Sequence, residues 1–465
     1  MIKLDIKTVA QILSAEWINQ DQSGTNLIEV VTVMTDTRKS AAQALFFALK
    51  GANFDAHDYL PQAVAQGAVA LVVEKSNPDL SVPQLVVADT RLALGQLAKW
   101  LKAELAPQTV AMTGSSGKTT VKEMTAAILK QKGEVLFTQG NFNNDIGVPL
   151  TLLRLEPQHR YAVIELGANH AGEIAYTTDL VQPDVALINN VAPAHLEGFG
   201  SLEGVARAKG EIYRGLGSQG KAVINLDCHY LELWQKEIGE HQYYSFSVSQ
   251  SEADFYTDKI RLHEQGADFE LVTAQGSIAI QLPYLGLHNV SNALAATALA
   301  MLAGASLEQV KCGLEQKQAV KGRLYPIQIN PNLLLLDDTY NANVDSMKSA
   351  ASVLQNYSGF RIFVVGDMAE LGENSQLCHQ QVAEFTRDAQ LDLVVSFGSQ
   401  SEVISGLSQG KHFNDKTDLV LFLQQQIQQQ LKNNNKVVLL AKGSRSMKME
   451  EVIHAILKET NNNEG

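Results

Sequence analysis

Short runs of apolar residues recur along this chain, each bounded by turn residues and separated by segments long enough to form a helix. In the first half, these runs lie at 70–73, 110–112, 162–164, 185–188 and 222–224. Such runs between helical segments are typical of strands that are buried on both faces of a parallel sheet. The pattern therefore predicts an α/β protein with a mostly parallel central sheet.

The rhythm changes at two places. Between Phe255 and Leu282, apolar and polar residues alternate, which predicts a small antiparallel sheet appended to the main one. From about residue 322, the strand and helix patterns restart, with apolar runs at 333–336, 362–365, 393–397 and 437–440. No G-x-G-x-x-G fingerprint accompanies this second parallel sheet, so it is Rossmann-like in rhythm only.

The length of 465 residues is about three times the usual domain size, so several hydrophobic cores are expected. We predict three α/β domains. A small N-terminal domain covers 1–88, and a central domain with the parallel sheet and the small antiparallel sheet covers 89–321. A C-terminal Rossmann-like domain covers 322–465.

Two segments are open to more than one interpretation. The apolar stretch 293–305 is too short to span a bilayer and is predicted to be a buried helix. The Gln- and Asn-rich stretch 424–435 suggests low complexity. An amphipathic helix is favoured there, because apolar residues recur every fourth position at Leu419, Leu423, Ile427 and Leu431.

Composition narrows the classes of partner. A formal net charge of −13 gives no general attraction to nucleic acid or to an anionic membrane, so any phosphate site needs a local concentration of cationic groups. The three cysteines are widely spaced and indicate neither a disulfide framework nor a metal site. The N-terminal residues lack the hydrophobic core of a signal peptide. We therefore expect a cytoplasmic protein without membrane insertion.

The clearest chemical signal is the segment Thr113-Gly-Ser-Ser-Gly-Lys-Thr-Thr120, which lies between a predicted strand and a predicted helix. Val121, Met124 and Ile128 would fall on one apolar face of that helix. Glycines let backbone N–H groups approach phosphate oxygens, and the helix N-terminus favours anions. The segment predicts a nucleoside triphosphate site formed by Gly114, Ser115, Ser116, Gly117, Lys118, Thr119 and Thr120.

Met112 stands where the strict phosphate-loop pattern has glycine, so the match is to a shorter form. A surface turn with a chance Gly-Lys-Thr is the alternative interpretation. Lys118 would supply charge to the outer phosphates, and Thr119 could ligate magnesium.

Several polar residues follow other predicted strands in the central domain. Glu165 should emerge at the carboxyl end of the sheet, where it is a candidate magnesium ligand or simply a solvated residue. His195 is either a metal or catalytic residue or a structural histidine. Asn143 and Asn144 lie in an amide-rich loop that is either a turn or a substrate contact.

The predicted C-terminal sheet has three polar strand ends, at 337–343, 366–368 and 442–445. Because parallel strands share one carboxyl edge, these segments suggest the wall of a cleft. For each one alone, a helix cap or a turn remains an equal alternative.

In order along most of the chain, these segments resemble the Mur ligase family. The matching motifs lie at 45–51, 55–59, 113–120, 143–147, 194–201, 208–211, 286–289, 321–323 and 337–343. The segments Asp337-Asp-Thr-Tyr-Asn-Ala-Asn343 and Gly366-Asp-Met-Ala-Glu-Leu-Gly372 look like the branch that adds D-alanyl-D-alanine. Val344 departs from the family pattern, which often has proline there, and Thr35-Asp-Thr-Arg38 replaces a serine-containing version.

The resemblance implies a monomeric ligase that uses ATP and Mg2+ to join D-alanyl-D-alanine to UDP-N-acetylmuramoyl-tripeptide through an acyl phosphate. It implies catalytic roles for Lys118, His195 and Lys209, the last as a carbamate. It implies magnesium ligation by Thr119, Glu165, His195 and Lys209. On the nucleotide side it implies His288, Asn289, Asn292, Arg323 and Asp338.

The same resemblance places the uridine nucleotide in the first domain and the dipeptide near the third. The substrate residues that it implies are Thr37, Arg38, Phe46, Lys50, Asn53, Asn143, Asn144, Tyr340, Asn341 and Asn343. Two other functions stay open. One is a folylpolyglutamate synthase-like amide ligase, and the other is a nucleotide-sugar-binding regulator without ligase chemistry.

Overall fold

The computed structural model describes residues 2–19, 28–194, 196–316 and 320–462. Its first sheet has five strands in the order β2-β9-β8-β5-β4, parallel except for β2 at one edge. The strands in this part of the chain are β1 (Leu4–Asp5), β2 (Glu16–Ile18), β3 (Glu29–Val30), β4 (Thr32–Met34), β5 (Ala44–Phe47), β6 (Lys50–Gly51), β7 (Phe54–Asp55), β8 (Ala68–Val73) and β9 (Gln84–Val86). Strands β1 and β3 form a separate two-stranded sheet, and so do β6 and β7. The helices are α1 (Ile6–Leu13), α2 (Leu60–Ala65) and α3 (Thr90–Leu105), with a 3-10 turn at Ala56–Tyr59.

The second sheet has nine strands in the order β11-β12-β10-β13-β14-β15-β16-β17-β18. These are β10 (Gln108–Thr113), β11 (Val135–Phe137), β12 (Tyr161–Glu165), β13 (Val185–Ile188), β14 (Lys221–Asn225), β15 (Gln242–Ser247), β16 (Phe255–His263), β17 (Gly266–Thr273) and β18 (Gly276–Leu282). The helices are α4 (Lys118–Leu129), α5 (Gly147–Leu152), α6 (Glu173–Val181), α7 (Leu196–Phe199), α8 (Leu202–Gly210), α9 (Leu231–Ile238), α10 (Leu287–Leu302) and α11 (Leu307–Leu314), with a 3-10 turn at Glu211–Gly215.

The third sheet has six strands in the order β19-β20-β24-β21-β22-β23. They are β19 (Tyr325–Asn330), β20 (Leu333–Asp338), β21 (Phe360–Gly366), β22 (Leu393–Phe397), β23 (Lys411–Phe413) and β24 (Val437–Lys442). The helices are α12 (Val344–Gln355), α13 (Ser375–Asp388), α14 (Glu402–Leu407), α15 (Lys416–Lys432) and α16 (Glu450–Asn462), with 3-10 turns at Gly372–Asn374 and Arg445–Met447.

The predicted α/β class is confirmed, and so is the change of rhythm after Phe255. Strands β16, β17 and β18 pair antiparallel, and β16 joins the parallel part by pairing with β15. The domain boundaries at 88 and 321 stay predictions. The strands of the three main sheets lie within 16–86, 108–282 and 325–442.

Successive side chains of the central strands point to opposite faces of the sheet, so the hydrophobic core has one part on each face. Ala111 and Ile164 pack on one face of the sheet, in a cluster that continues into the N-terminal domain through Leu45 and Phe47. Val110 and Val163 pack on the other face, against α4, α10 and α11. The first domain therefore shares a core with the central one.

Two helix predictions are confirmed. Helix α15 is amphipathic as predicted, with Leu419, Leu423 and Ile427 buried. In α4, Val121, Met124 and Ile128 are buried in one cluster as predicted, but Lys122, Thr125 and Ala126 are buried as well. The helix lies between the sheet and α10 and α11, so little of it reaches solvent.

The Ala-rich stretch 293–305 lies largely in the buried helix α10, as predicted. No helix in the described part of the chain is both long enough and apolar enough to span a bilayer.

Candidate active site

The phosphate-loop segment connects β10 to α4, as its sequence predicts. Helix α4 begins at Lys118 after Gly117, whose φ is +76°, and no side chain caps this helix. Its first N–H groups therefore lack a helical partner and can bind an anion. Asn190 fixes the loop before them by accepting from Ser115 N–H at 3.1 Å and from Ser116 N–H at 2.8 Å.

A chain of buried amides supports the loop from below. Nδ2 of Asn189 donates to the Ser116 carbonyl at 3.0 Å and to Oδ1 of Asn292 at 2.9 Å. Asn292 in turn donates to Oδ1 of Asn289 at 2.9 Å. A Cβ at Gly117 would overlap Oδ1 of Asn292, so the backbone passes close to this chain. Asn289 and Asn292 thus use their amides to shape the loop.

Asn189 and Asn190 were missed as site residues by sequence reasoning. They follow the buried strand β13, so the strand-end argument that selected Glu165 also applies to them.

Two lysines from different helices meet at the loop. Lys118 Nζ donates to the Gly114 carbonyl at 2.7 Å, and burial lowers its pKa while the charge of Glu165 opposes that shift. Lys209, in α8, is only 3% exposed. Burial and then the positive charge of Lys118 hold the pKa of Lys209 well below its usual range. This environment favours a neutral amine at Lys209.

Glu165 ends β12 and is 2% exposed. Its Oε1 accepts a hydrogen bond of 2.8 Å from Asn143, and its Oε2 is buried without a hydrogen-bond partner in the structure as described. A buried carboxylate oxygen left in this state is costly unless a cation is bound nearby. Asn144 has a local role instead, since its Oδ1 accepts from Gly147 N–H at 2.8 Å.

His195 lies outside the described residues. Within the described ranges, no group of three or more His, Cys, Asp and Glu side chains gathers as a metal site. Thr119 lies in the first turn of α4. The candidate cation ligands are therefore of mixed type, with a carboxylate, a hydroxyl and a lysine that would need chemical modification.

The C-terminal domain faces the phosphate loop and forms the other wall of the cleft. Lys442 is 1% exposed and donates to Oδ2 of Asp338 and to the Asn341 carbonyl, both at 2.9 Å. The guanidinium of Arg323 lies 4.3 Å from the ring centroid of Tyr340. Asp338 therefore pairs with Lys442, and Arg323 and Asp338 both line the cleft that faces the phosphate loop.

Two of the three polar strand ends line the cleft and the third does not. The carboxylate of Asp367 accepts backbone N–H groups from Ser399, Gln400 and Ser401 at 2.8–3.1 Å. It is thus a structural cap of the loop before α14.

Two adjoining cavities lie between the central and C-terminal domains. The first, of about 240 Å³, is lined by Ser116, Gly117, Thr120, His288, Asn289, Asn292, Arg323, Asp338 and Lys442, among others. The second, of about 250 Å³, is lined by Lys118, Asn143, Asn144, Glu165, Lys209, Tyr340, Asn341 and Asn343, among others. Burial lowers the pKa of His288 to about 4, so this ring is neutral at pH 7.

The residues expected around uridine lie between Thr37 and Asn53 in the N-terminal domain. Arg38 is exposed and makes two hydrogen bonds of 2.8 Å with Asp36, which lower the pKa of that carboxyl to about 2. Lys50 pairs with Glu74 at 2.5 Å. Thr37 is half-buried and Asn53 is exposed.

Phe46 departs from the expectation. Its ring is fully buried in the N-terminal core, so its side chain faces no ligand site. A third cavity, of about 470 Å³, lies instead between β4 and α5, where Asp36, Lys39, Phe142 and Arg154 line it.

Comparison with known families decides the family of the chain. Residues 29–100 match the Mur ligase family catalytic domain, 112–300 match the Mur ligase middle domain, and 322–456 match the Mur ligase glutamate ligase domain. The chain belongs to the Mur ligase family. The predicted resemblance is thereby confirmed.

Individual relatives of this Mur ligase match over nearly their full length. The UDP-N-acetylmuramoyl-tripeptide–D-alanyl-D-alanine ligase of Haemophilus influenzae is 60% identical over 460 residues, which are 98% of this chain and 99% of the relative. A crystal structure of MurF from Acinetobacter baumannii has a TM-score of 0.93 at 40% identity, covering 98% of this chain and 99% of that one. The MurF ligase of Thermotoga maritima in complex with ADP has a TM-score of 0.83 at 27% identity, covering 93% and 98%.

Proposed function

We propose that this Mur ligase joins D-alanyl-D-alanine to UDP-N-acetylmuramoyl-tripeptide at the expense of ATP. One observation carries the proposal. An uncapped phosphate loop, the buried carboxylate of Glu165 and the C-terminal segment from Tyr340 to Asn343 all face a single cavity. The name of the Haemophilus influenzae relative, at 60% identity over nearly the whole chain, supports this substrate pair.

The chemistry follows from the poor reactivity of a carboxylate toward an amine. Transfer of the terminal phosphoryl group of ATP to the tripeptide carboxylate gives an acyl phosphate, and the dipeptide amine then displaces phosphate to form the amide. The N–H groups at the start of α4 bind the phosphates, and Lys118 neutralises charge that develops during transfer. ADP and phosphate leave with the product.

The donors present fit magnesium. Glu165 and Thr119 would hold it, and the orphaned Oε2 of Glu165 is the observation that supports the fit. When bound, Mg2+ would neutralise and orient the phosphates. His195 is a proposed third ligand from the sequence.

Lys209 fits the proposed carbamate. A neutral amine can add to carbon dioxide, and both burial and Lys118 favour that neutral form. The carbamate would carry a negative charge beside Lys118, where a protonated Lys209 ammonium is disfavoured.

The uridine nucleotide is assigned to the N-terminal side. The cavity between β4 and α5 carries two cationic side chains, Lys39 and Arg154, together with the half-exposed ring of Phe142. Phe142 precedes Asn143, which lines the catalytic cavity, so an extended substrate could reach from one cavity to the other along this loop. A monomeric enzyme in the cytoplasm is part of the proposal.

The test is phosphate release from ATP and Mg2+ with both substrates supplied together and each omitted in turn. Release that requires both, with a pentapeptide product by mass, is the expected result. Productive hydrolysis with a folate and glutamate instead would favour the folylpolyglutamate synthase-like function. Tight binding of the UDP precursor without phosphate release in any mixture would favour a regulator.

A further inference from the structure

Asn343 connects two domains through one side chain. As the N-cap of α12, it accepts from Ser346 N–H through Oδ1 at 2.9 Å, and its own N–H donates to Oγ of Ser346 at 3.0 Å. Its Nδ2 donates across the domain boundary to the Ser115 carbonyl at 3.4 Å. The side chain is 8% exposed, so both of its polar groups are engaged within the protein.

Both partners of this interdomain bond are held in place. On the C-terminal side, the fully buried Lys442 fixes the Asn341 carbonyl at 2.9 Å. On the loop side, Oγ of Ser115 donates to the Ala192 carbonyl at 3.1 Å and accepts from Ala192 N–H at 2.9 Å. In the part of the chain that the structure describes, no other hydrogen bond links 113–120 to the C-terminal domain.

We propose that Asn343 is a positioning residue that sets the Ser115–Ser116 peptide of the phosphate loop when the C-terminal domain is docked. Its bond holds the Ser115 carbonyl toward the C-terminal wall, while Asn190 holds the Ser116 N–H of the same peptide. The N–H groups at the start of α4 then remain for the phosphates. A carbonyl turned toward the phosphates would repel them. The loop would then reach its phosphoryl-transfer geometry only when the C-terminal wall, on the dipeptide side, is in place.

The length of the bond agrees with this role. At 3.4 Å it lies beyond the usual 2.7–3.2 Å range, so a small further approach of the two domains would strengthen it. The role differs from the dipeptide contact that the resemblance implied for Asn343. It rests on the assignment of the phosphate loop as the ATP site.

A second contact holds the C-terminal domain without touching the loop. Glu264, in the turn after β16, accepts from Ser358 N–H at 3.0 Å and from Ser358 Oγ at 2.9 Å. The Tyr357 hydroxyl donates to the Glu264 carbonyl at 2.9 Å. Loss of the Asn343 bond should therefore alter the loop while leaving the domain attached.

The test compares three variants of the full chain. Asn343→Ser keeps an N-cap but is too short to reach Ser115, and Asn343→Asp keeps the cap and the size but replaces the donor with an acceptor. Ser346→Ala is the matched control, because it weakens the same cap and keeps Nδ2 of Asn343. Each variant is measured for thermal unfolding, for kcat and KM of ligation, and for hydrogen exchange of the amides at 114–118.

We expect both Asn343 variants to lower kcat about five- to tenfold, with the KM for ATP changed less than about threefold for the uncharged Asn343→Ser. Their loop amides should exchange faster while their melting temperatures stay near wild type. Ser346→Ala should lower the melting temperature and leave loop exchange unchanged. Wild-type exchange at the loop in Asn343→Ser, or losses of kcat that follow melting temperature across all three variants, would overturn the proposal.

Discussion

Asn143 donates to Oε1 of Glu165 at 2.8 Å, while Oε2 of the same carboxylate is buried and unpaired within the described structure. One oxygen is thus held in place and the other is left available toward the cavity that Lys118 also lines. The orienting amide fixes the carboxylate plane, as neighbouring groups do for ligands of metals. The two residues together define where a cation would bind.

We expect Glu165→Gln to raise the Mg2+ concentration for half-maximal activity by roughly tenfold or more, because the variant keeps the shape and loses the charge. Phosphate release measured across a Mg2+ titration checks this. Glu203→Gln, on the exposed face of α8, is the control and should leave the curve unchanged. An unchanged curve for Glu165→Gln would remove this residue from the cation site.

Lys118→Ala should reduce turnover by roughly 100-fold or more, since it removes the lysine charge of the phosphate loop. Stability should change little, because the ammonium is buried at some cost and its pKa is already lowered. Steady-state ligation and thermal unfolding are the measurements. Lys130→Ala, beyond the last residue of the same helix, should keep near-normal turnover, and near-normal turnover in Lys118→Ala would refute the assignment.

Activity should depend on dissolved carbon dioxide if Lys209 acts as a carbamate. We expect wild-type turnover to fall in carbon dioxide-free buffer and to recover with bicarbonate, because the lowered pKa of Lys209 leaves a reactive neutral amine. Lys209→Met should have low turnover that bicarbonate does not restore. Equal wild-type rates with and without bicarbonate would count against the carbamate.

The strands were predictable because burial on both faces leaves an unambiguous apolar run. The predicted runs 185–188 and 393–397 coincide with the bounds of β13 and β22. Strand β19 was not predicted, because an edge strand with polar and half-buried residues carries little of that signal. The burial of α4 on most sides depends on α10 and α11, which lie far along the chain and cannot be inferred from its own periodicity.

Site prediction had a related limit. The phosphate-loop motif selected Lys118 and strand-end position selected Glu165, and the structure gathers both in one cavity. The hydrogen bond from Asn189 to Asn292 joins residues 103 positions apart in the sequence. The bond from Lys442 to the Asn341 carbonyl joins residues 101 positions apart. These contacts exist only after the sheets and domains pack, so no local pattern could reveal them.

Gly117→Ala should impair nucleotide binding and stability together. Gly117 has a φ of +76° and its Cβ would overlap Oδ1 of Asn292, so the amide chain beneath the loop must shift. Gly140→Ala is the matched control, since Gly140 has a φ of +52° with nothing within 4 Å of a Cβ. We expect the control to lose about 1 kcal/mol of unfolding free energy with ADP affinity intact. Equal ADP affinity in the two variants would show that the amide chain does not shape the loop.

His379 should make stability fall in mild acid. Its Nδ1 donates to the Ser375 carbonyl at 2.8 Å and its Nε2 accepts from Met368 N–H at 3.0 Å, so the neutral ring is required. Burial lowers its pKa from the usual 6.5, although the nearby Asp367 opposes the shift. Because the pKa of His379 is lowered in the folded state, the stability that its neutral ring provides is complete above about pH 6.5. That stability is lost as the pH falls through the folded-state pKa.

The free energy of unfolding by urea, measured from about pH 7.5 down to about pH 5, would check this. His379→Gln can keep both hydrogen bonds without titrating, so its stability should fall less steeply with acid than that of wild type. The variant's free energy of unfolding should still fall somewhat with acid, because His288 also has a lowered pKa, of about 4, and its protonation destabilises the fold in the same way. His454→Gln, at an exposed position of α16, should keep the wild-type slope. If His379→Gln also kept it, the buried ring would not be the source of the acid sensitivity.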